Sequence, residues 1–321
     1  MNYLVVGGAG FIGSNVVRKL VSEKFNIVTV FDNFSSGRME FIEDLYKNKK
    51  IKLVLASLSN SNALYKAMQN QDVVIMLASN PDIAKAQTDP TIDFWEGTNY
   101  VQLVLEAMRF AGVKNIIFAS GSGVYGYWPN ELLKEDHSPM LPTSPYGASK
   151  LACEALISAY CNMFDMKARV YRLANVVGKN ATHGVTRAFI LQLMEHPNYL
   201  DIFGNGKQNK MYIHVDDVAN AFLSPFNDIV YNYFNVAPLD SITVNEIADL
   251  VKKKMQLENV EYRYTSDQPY GWKGDIPEVY LSSNKIRGYY GWKNSYTSSG
   301  AIEKTIDELL TQYNWRKNES N

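Results

Sequence analysis

The sequence predicts an α/β protein: a doubly wound parallel sheet carrying a smaller, discontinuous α/β lobe that binds substrate. Three observations point there. Apolar, β-rich runs alternate with helical patterns through the first half of the chain. Those runs are rich in Val and Ile and unrelieved by polar alternation, as strands covered on both faces must be. A glycine cluster sits between the first run and the first helix.

The elements follow in order. Strand-like runs fall at residues 3–6, 26–31, 52–55, 73–77, 116–119 and 168–172, separated by helical patterns at 12–22, 61–68, 91–111 and 146–164. After Asn175 the alternation stops, and Gly, Asn, Tyr and Pro become frequent. The stretch "YNYFNVA" (231–237) reads as one more strand, returning to the first sheet. Residues 1–174, with a return segment near 211–237, are thus expected to form one domain. Residues 175–210 and 238–321 form the second lobe, with the tail "RKNESN" frayed. No internal repeat or low-complexity segment is visible.

Composition bounds the function. The 32 basic and 33 acidic residues give a net charge of -1, which leaves no electrostatic footprint for nucleic acid or an anionic membrane. No apolar stretch approaches the roughly 20 residues needed to span a bilayer. The start, "MNYLVVGG", is a strand rather than a signal peptide. Cys153 and Cys161 fall on one helix, about 12 Å apart, which excludes a disulfide between them. Two reduced thiols suit a cytoplasmic enzyme.

The first chemical motif is "VVGGAGFIGSNVV". Gly7, Gly10 and Gly13 follow a strand and open a helix, and Gly8-x-Gly10-x-x-Gly13 also fits the dinucleotide fingerprint of a Rossmann-type sheet. The glycines allow a tight turn, close approach of pyrophosphate and close helix packing, while the helix N-terminus favours the anion. The second strand, "IVTVFD", ends in Asp32, 19 residues after Gly13, where an acid can accept both ribose hydroxyls. Asp32 would repel a 2′-phosphate and so favours NAD over NADP, with Arg38 nearby as the opposing consideration. The second motif is "SPYGASKLACEAL". Tyr146 and Lys150 share one helix face, and an ammonium beside a phenol stabilises the phenolate. Tyr146 is therefore a candidate general acid/base.

Taken together, "GGAGFIG", "FDNFSSG", "SGVYG", "YGASK", "RLANVVG" and "YIHVDDVANA" resemble the extended short-chain dehydrogenase/reductase family. The resemblance is to its nucleotide-sugar epimerases, of the compact archaeal and bacterial UDP-galactose 4-epimerase type, and it covers nearly the whole chain. It implies NAD as cofactor and a nucleotide sugar, UDP-hexose foremost, as substrate. It implies Phe11 and Ile12 beneath the pyrophosphate, and Asp32, Asn33, Phe34, Ser35, Ser36 and Gly37 around the adenosine ribose and its phosphate. Ser57 and Leu58 would flank the adenine, although Ser57 stands where the family has an acid. The strand end "LASNP" (77–81), with Leu77, Ala78 and Ser79 foremost, would run along the pyrophosphate and nicotinamide ribose, Asn99 would support the site, and Ala174 would touch the cofactor. Asn175 would contact the sugar diphosphate; Asp201, Ile202, Phe203, Lys210, Trp272 and Asp275 would surround the nucleoside and its phosphates. Lys210 replaces an arginine, exchanging a fork for a point charge. Trp272 replaces another, and "GKN" at 178–180 replaces "GPR". A homodimer through the helices at 91–111 and 146–164 is also implied.

One departure bears on the chemistry. Aligned on "VYG", the family's catalytic Ser or Thr position holds Gly121, flanked by Ser120 and Ser122. Either hydroxyl could take over, and the glycines on both sides of Ser122 favour it; a water in place of the missing group is the alternative. The acids that a 4,6-dehydratase or a sugar-acid decarboxylase carries before "VYG" are absent, which leaves oxidation to a 4-ketosugar and re-reduction, a 4-epimerisation. Two further readings stay open: a non-catalytic protein that binds NAD and nucleotide sugar, and a nucleotide-sugar reductase.

Overall fold

The computed structural model describes residues 1–226 and 229–315; the tail expected to fray lies outside them. Seven strands form the central sheet: β1 (Asn2–Val6), β2 (Ile27–Asp32), β3 (Ile51–Leu55), β4 (Val73–Met76), β5 (Asn115–Gly121), β6 (Lys167–Leu173) and β7 (Tyr231–Val236). Their order is β7-β6-β5-β4-β1-β2-β3, and every pairing is parallel. The chain starts in the middle and winds outward in both directions. The topological switch therefore lies between β1 and β4, where such sheets open a crevice at their carboxyl ends.

The unrelieved apolar runs are explained by burial on both faces. Val5, Val30 and Ile75 pack on one side with Val16, Val17 and Leu20 of α1 (Phe11–Ser22). Leu4, Phe31, Met76 and Phe118 face the other side. There they meet α2 (Ser61–Met68), α3 (Tyr100–Ala111) and α4 (Pro145–Phe164) through Leu64, Val104, Met108 and Ile157. Both cysteines are free and buried on α4.

One helix differs from expectation. The pattern at 91–111 predicts a continuous helix, but a π-helical segment, Phe94–Asn99, precedes α3. A Cβ on Gly97 would lie 2.3 Å from Ser149 Oγ. That hydroxyl donates to Asp93 O at 2.6 Å and sits 2.9 Å from Thr98 Oγ1. The wide turn thus lies where Ser149 of α4 packs against it.

The second lobe has its own apolar cluster. It is built from α5 (Val185–Glu195), α7 (Val244–Lys254) and α8 (Ser298–Gln312) through Ile190, Leu193, Ile247, Val251, Ile302 and Ile306. Phe11, from the turn after β1, belongs to the same cluster. Strand Asn175–Val177 pairs with Tyr212–His214, and α6 (Val215–Phe222) follows and packs back against α1.

Candidate active site

The turn from β1 to α1 reverses the chain in a few residues. Gly7 sits at φ +80, and a Cβ there would lie 2.7 Å from Ala78 N. A Cβ on Gly13 would fall 2.1 Å from Gly7 O, so only hydrogen lets α1 close onto the turn. Gly10 is the N-cap of α1 and brings no side chain to its free N–H groups. Those groups and the helix dipole are left for an anion.

Asp32, at the end of β2, accepts Ala9 N at 2.9 Å through Oδ2 and Phe34 N at 2.8 Å through Oδ1. Burial raises its carboxyl above the ordinary range, and the backbone amides pull it back toward the anion. Asn33 Oδ1 accepts Ser35 N at 3.0 Å, and Phe34 takes a left-handed φ of 56°, which tightens the turn beside it. Asp32, Asn33, Ser35, Ser36, Leu58, Leu77, Ala78 and Ser79 line one trough with Gly7, Gly10, Phe11, Ile12 and Gly13. A buried acid at one end and an uncapped helix in the middle fit an adenine dinucleotide.

A cleft adjoins the trough, and Tyr146 lines both. Lys150, one turn further along α4, donates from Nζ to Ala119 O at 2.9 Å and lies 5.4 Å from the Tyr146 ring centroid. Ser120 reaches the cleft wall, but its hydroxyl donates to Glu154 Oε1 at 2.6 Å. Glu154 in turn pairs with Arg172 of β6, Nη2 to Oε2 at 2.7 Å, and all three side chains are buried. Ser122 starts the short helical turn Ser122–Val124 and lines the cleft, and its Oγ makes no hydrogen bond among the described residues. A Cβ at Gly121 would meet no atom within 4 Å.

Ala174, Asn175, Lys210, Trp272 and Asp275 complete the cleft. Lys210 Nζ lies 2.7 Å from Asp275 Oδ1, and Asp275 Oδ2 accepts Gly271 N at 3.0 Å. Asn175 Nδ2 donates to Met211 O at 3.3 Å.

Phe34, Gly37, Ser57, Asn99, Asp201, Ile202 and Phe203 line neither cavity. Gly37 instead lets the chain pass Asp32, since a Cβ there would lie 2.9 Å from Asp32 Oδ1. Ser57 Oγ turns to Ser59 Oγ at 2.8 Å. Asp201 is tied to Gln192 of α5 at 3.0 Å, Ile202 is buried in the second core, and Phe203 is 70% exposed. Along the π-helical segment Glu96 faces the trough, as does Tyr100 just beyond it, and Asn99 does not. Sequence reasoning missed these two, together with Ile83 and His183. A helical-face argument cannot place Glu96 and Tyr100 when the helix carries an extra residue in one turn. The available signal was Gly97 within an otherwise helical pattern.

Comparison with known proteins gives a consistent picture. Residues 3–237 match the model of the NAD dependent epimerase/dehydratase family. The chain is 30% identical to a putative UDP-glucose 4-epimerase of Methanocaldococcus jannaschii, over 98% of each chain. It is 28% identical to a UDP-glucose 4-epimerase of Mycolicibacterium smegmatis, over 96% of this chain and 98% of that one. Among solved structures, a UDP-galactose 4-epimerase matches with a TM-score of 0.86 at 34% identity, over 97% of this chain and 99% of that one. A UDP-glucose 4-epimerase with UDP-glucose from Thermotoga maritima matches with a TM-score of 0.86 at 28% identity, over 98% and 100%.

Proposed function

Because this chain belongs to the NAD-dependent epimerase/dehydratase family, we propose that it inverts UDP-hexoses of the glucose/galactose type at C4. The reaction passes through a transient 4-ketosugar. The observation that carries this reading is the place of Tyr146, at the seam between a dinucleotide trough and a second cleft. NAD, held along the trough by Asp32 and the α1 N-terminus, would supply the hydride chemistry of the cycle. Tyr146 takes the proton of the C4 hydroxyl and later gives it back. Lys150, held by Ala119 O, keeps its ammonium beside the Tyr146 ring.

Ser122 holds the C4 oxygen, the duty for which Gly121 has no hydroxyl; Ser120 is committed to Glu154. Asn175, Lys210, Trp272 and Asp275 receive the nucleotide and its diphosphate, with Asp201 to Phe203 beyond them. Asp32 selects NAD, since a 2′-phosphate would meet a buried carboxylate. Residues 1–174 and 211–237 serve the dinucleotide, and 175–210 with 238–321 serve the nucleotide sugar. The working unit is a homodimer joined through α3 and α4, and the two free, buried thiols suit the cytoplasm.

The test is UDP-galactose carrying deuterium at C4, mixed with purified protein and followed by NMR. UDP-glucose should form with the deuterium still at C4. Failure to invert either sugar, or washout of the label to solvent, would overturn the reading.

A further inference from the structure

The stretch "GKNATHG" (178–184) opens with the "GKN" that replaces a family motif, and the structure gives it a task. Asn15 Nδ2 of α1 donates to Lys179 O at 2.9 Å, and Asn180 Nδ2 donates to Ser14 Oγ at 3.1 Å. Gly178 lies at φ +144, where a Cβ would come 2.6 Å from Val215 Cγ1. The loop is therefore clamped to the dinucleotide helix at two successive residues. Three positions on, the His183 ring meets Phe11 edge-on, with centroids 6.3 Å apart.

That contact sets His183 at the seam, where it lines both the trough and the cleft. Its Nδ1 faces Thr182 Oγ1 at 3.1 Å, and Nε2 makes no hydrogen bond among the described residues. When the Thr182 hydroxyl donates to Nδ1, the neutral ring carries its proton on Nε2, on the edge away from Thr182. His183 is exposed at the mouth of the two cavities; loss of hydration around the ring lowers the imidazole from its ordinary value, Asp82 opposes this and Arg187 adds to it. The sugar end of the cleft is marked by Ser122 and Tyr146. His183 touches Phe11 and shares the cleft with Asn175, Lys210 and Trp272, the side chains assigned above to the nucleotide and its diphosphate.

We propose that His183 binds the nucleotide sugar directly, donating from Nε2 to its diphosphate. The contact tethers the fixed end of the substrate while the ketosugar turns over. It rests on the function proposed above, and the test separates the two. UDP, which lacks the sugar, is titrated calorimetrically into the NAD-loaded protein, alongside UDP-galactose. His183→Ala should weaken both ligands about tenfold, the scale of one hydrogen bond to a charged group, with NAD content unchanged. His183→Gln, whose amide can reach the same point, should stay within about threefold of the unmutated protein. UDP binding within about twofold in His183→Ala would overturn the inference. So would a loss confined to UDP-galactose, which would put the contact on the sugar. An unmutated holoenzyme that binds no UDP would overturn the proposed function itself, and this inference with it.

Discussion

Tyr146 and Lys150 owe their partnership to one turn of α4, and their placement to the strand end beneath them. Ala119 O holds the ammonium, and the neighbouring Ser120 hydroxyl is held by Glu154. Tyr146→Phe should keep NAD and UDP-sugar binding but lower turnover at least about a hundredfold, the scale of a general acid/base. Turnover within tenfold of the unmutated enzyme would remove the tyrosine from that role. Ser122→Ala should cost about one to two decades in kcat, as one lost transition-state hydrogen bond does. Ser120→Ala should spare kcat more and lower the melting temperature, because Glu154 loses a buried donor. The open space around a Cβ at 121 makes Gly121→Ser a rescue rather than a crowding: in the Ser122→Ala background it should restore most of the rate. Equal, unmutated rates in both alanine variants would leave water as the donor. At this scale the motif residues were legible, because glycine turns and an i,i+4 pair act over a few positions. For the two serines, the flanking glycines pointed to Ser122, but what occupies Ser120 was not legible. It depends on Glu154 and Arg172, which reach Ser120 only after α4 and β6 have docked.

His214 shows what an element junction can hold. It ends the strand Tyr212–His214 and caps α6, with Nδ1 3.3 Å from Asp216 Oδ2 and Nε2 3.2 Å from Glu308 Oε2 of α8. These three could frame a metal ion, but Lys304 Nζ already stands 3.0 Å from Asp216 Oδ2 as the local cation. Burial works against charge on His214, yet its hydrogen bonds to Asp216 and Glu308 outweigh that and raise its pKa. Its stabilisation is therefore fully present below about pH 6.5, the unfolded value, and is lost as pH rises through the higher folded one. The melting-temperature gap between unmutated protein and His214→Gln should be widest near pH 5.5 and narrow toward pH 9. A gap independent of pH would show the ring to be neutral. The strands, by contrast, could be read directly: burial on both faces leaves an apolar run whichever way the pleat points. The helix at 91–111 was read as continuous, because its π-helical segment packs against Ser149, some fifty positions away.

For the whole molecule, Trp95, Phe110 and Met163 are 56%, 66% and 74% exposed along the π-helical segment, α3 and α4. Sedimentation should give twice the chain mass of 36.3 kDa, and Phe110→Glu with Met163→Glu should halve it. A monomeric unmutated protein would refute the dimer. The order of the sheet has a bearing on biosynthesis as well. β7 pairs along β6, yet it is encoded 58 residues later, from Leu173 to Tyr231. At translation speeds of about 5–20 residues per second, the ribosome needs roughly 3–12 seconds to deliver it. Through that interval six strands can assemble while the β6 edge stays open, a row of unpaired backbone groups that another nascent chain could join. Chains cut short before 231 would keep that edge permanently. They should aggregate or recruit chaperones even with the dinucleotide turn and the Tyr146–Lys150 pair already made.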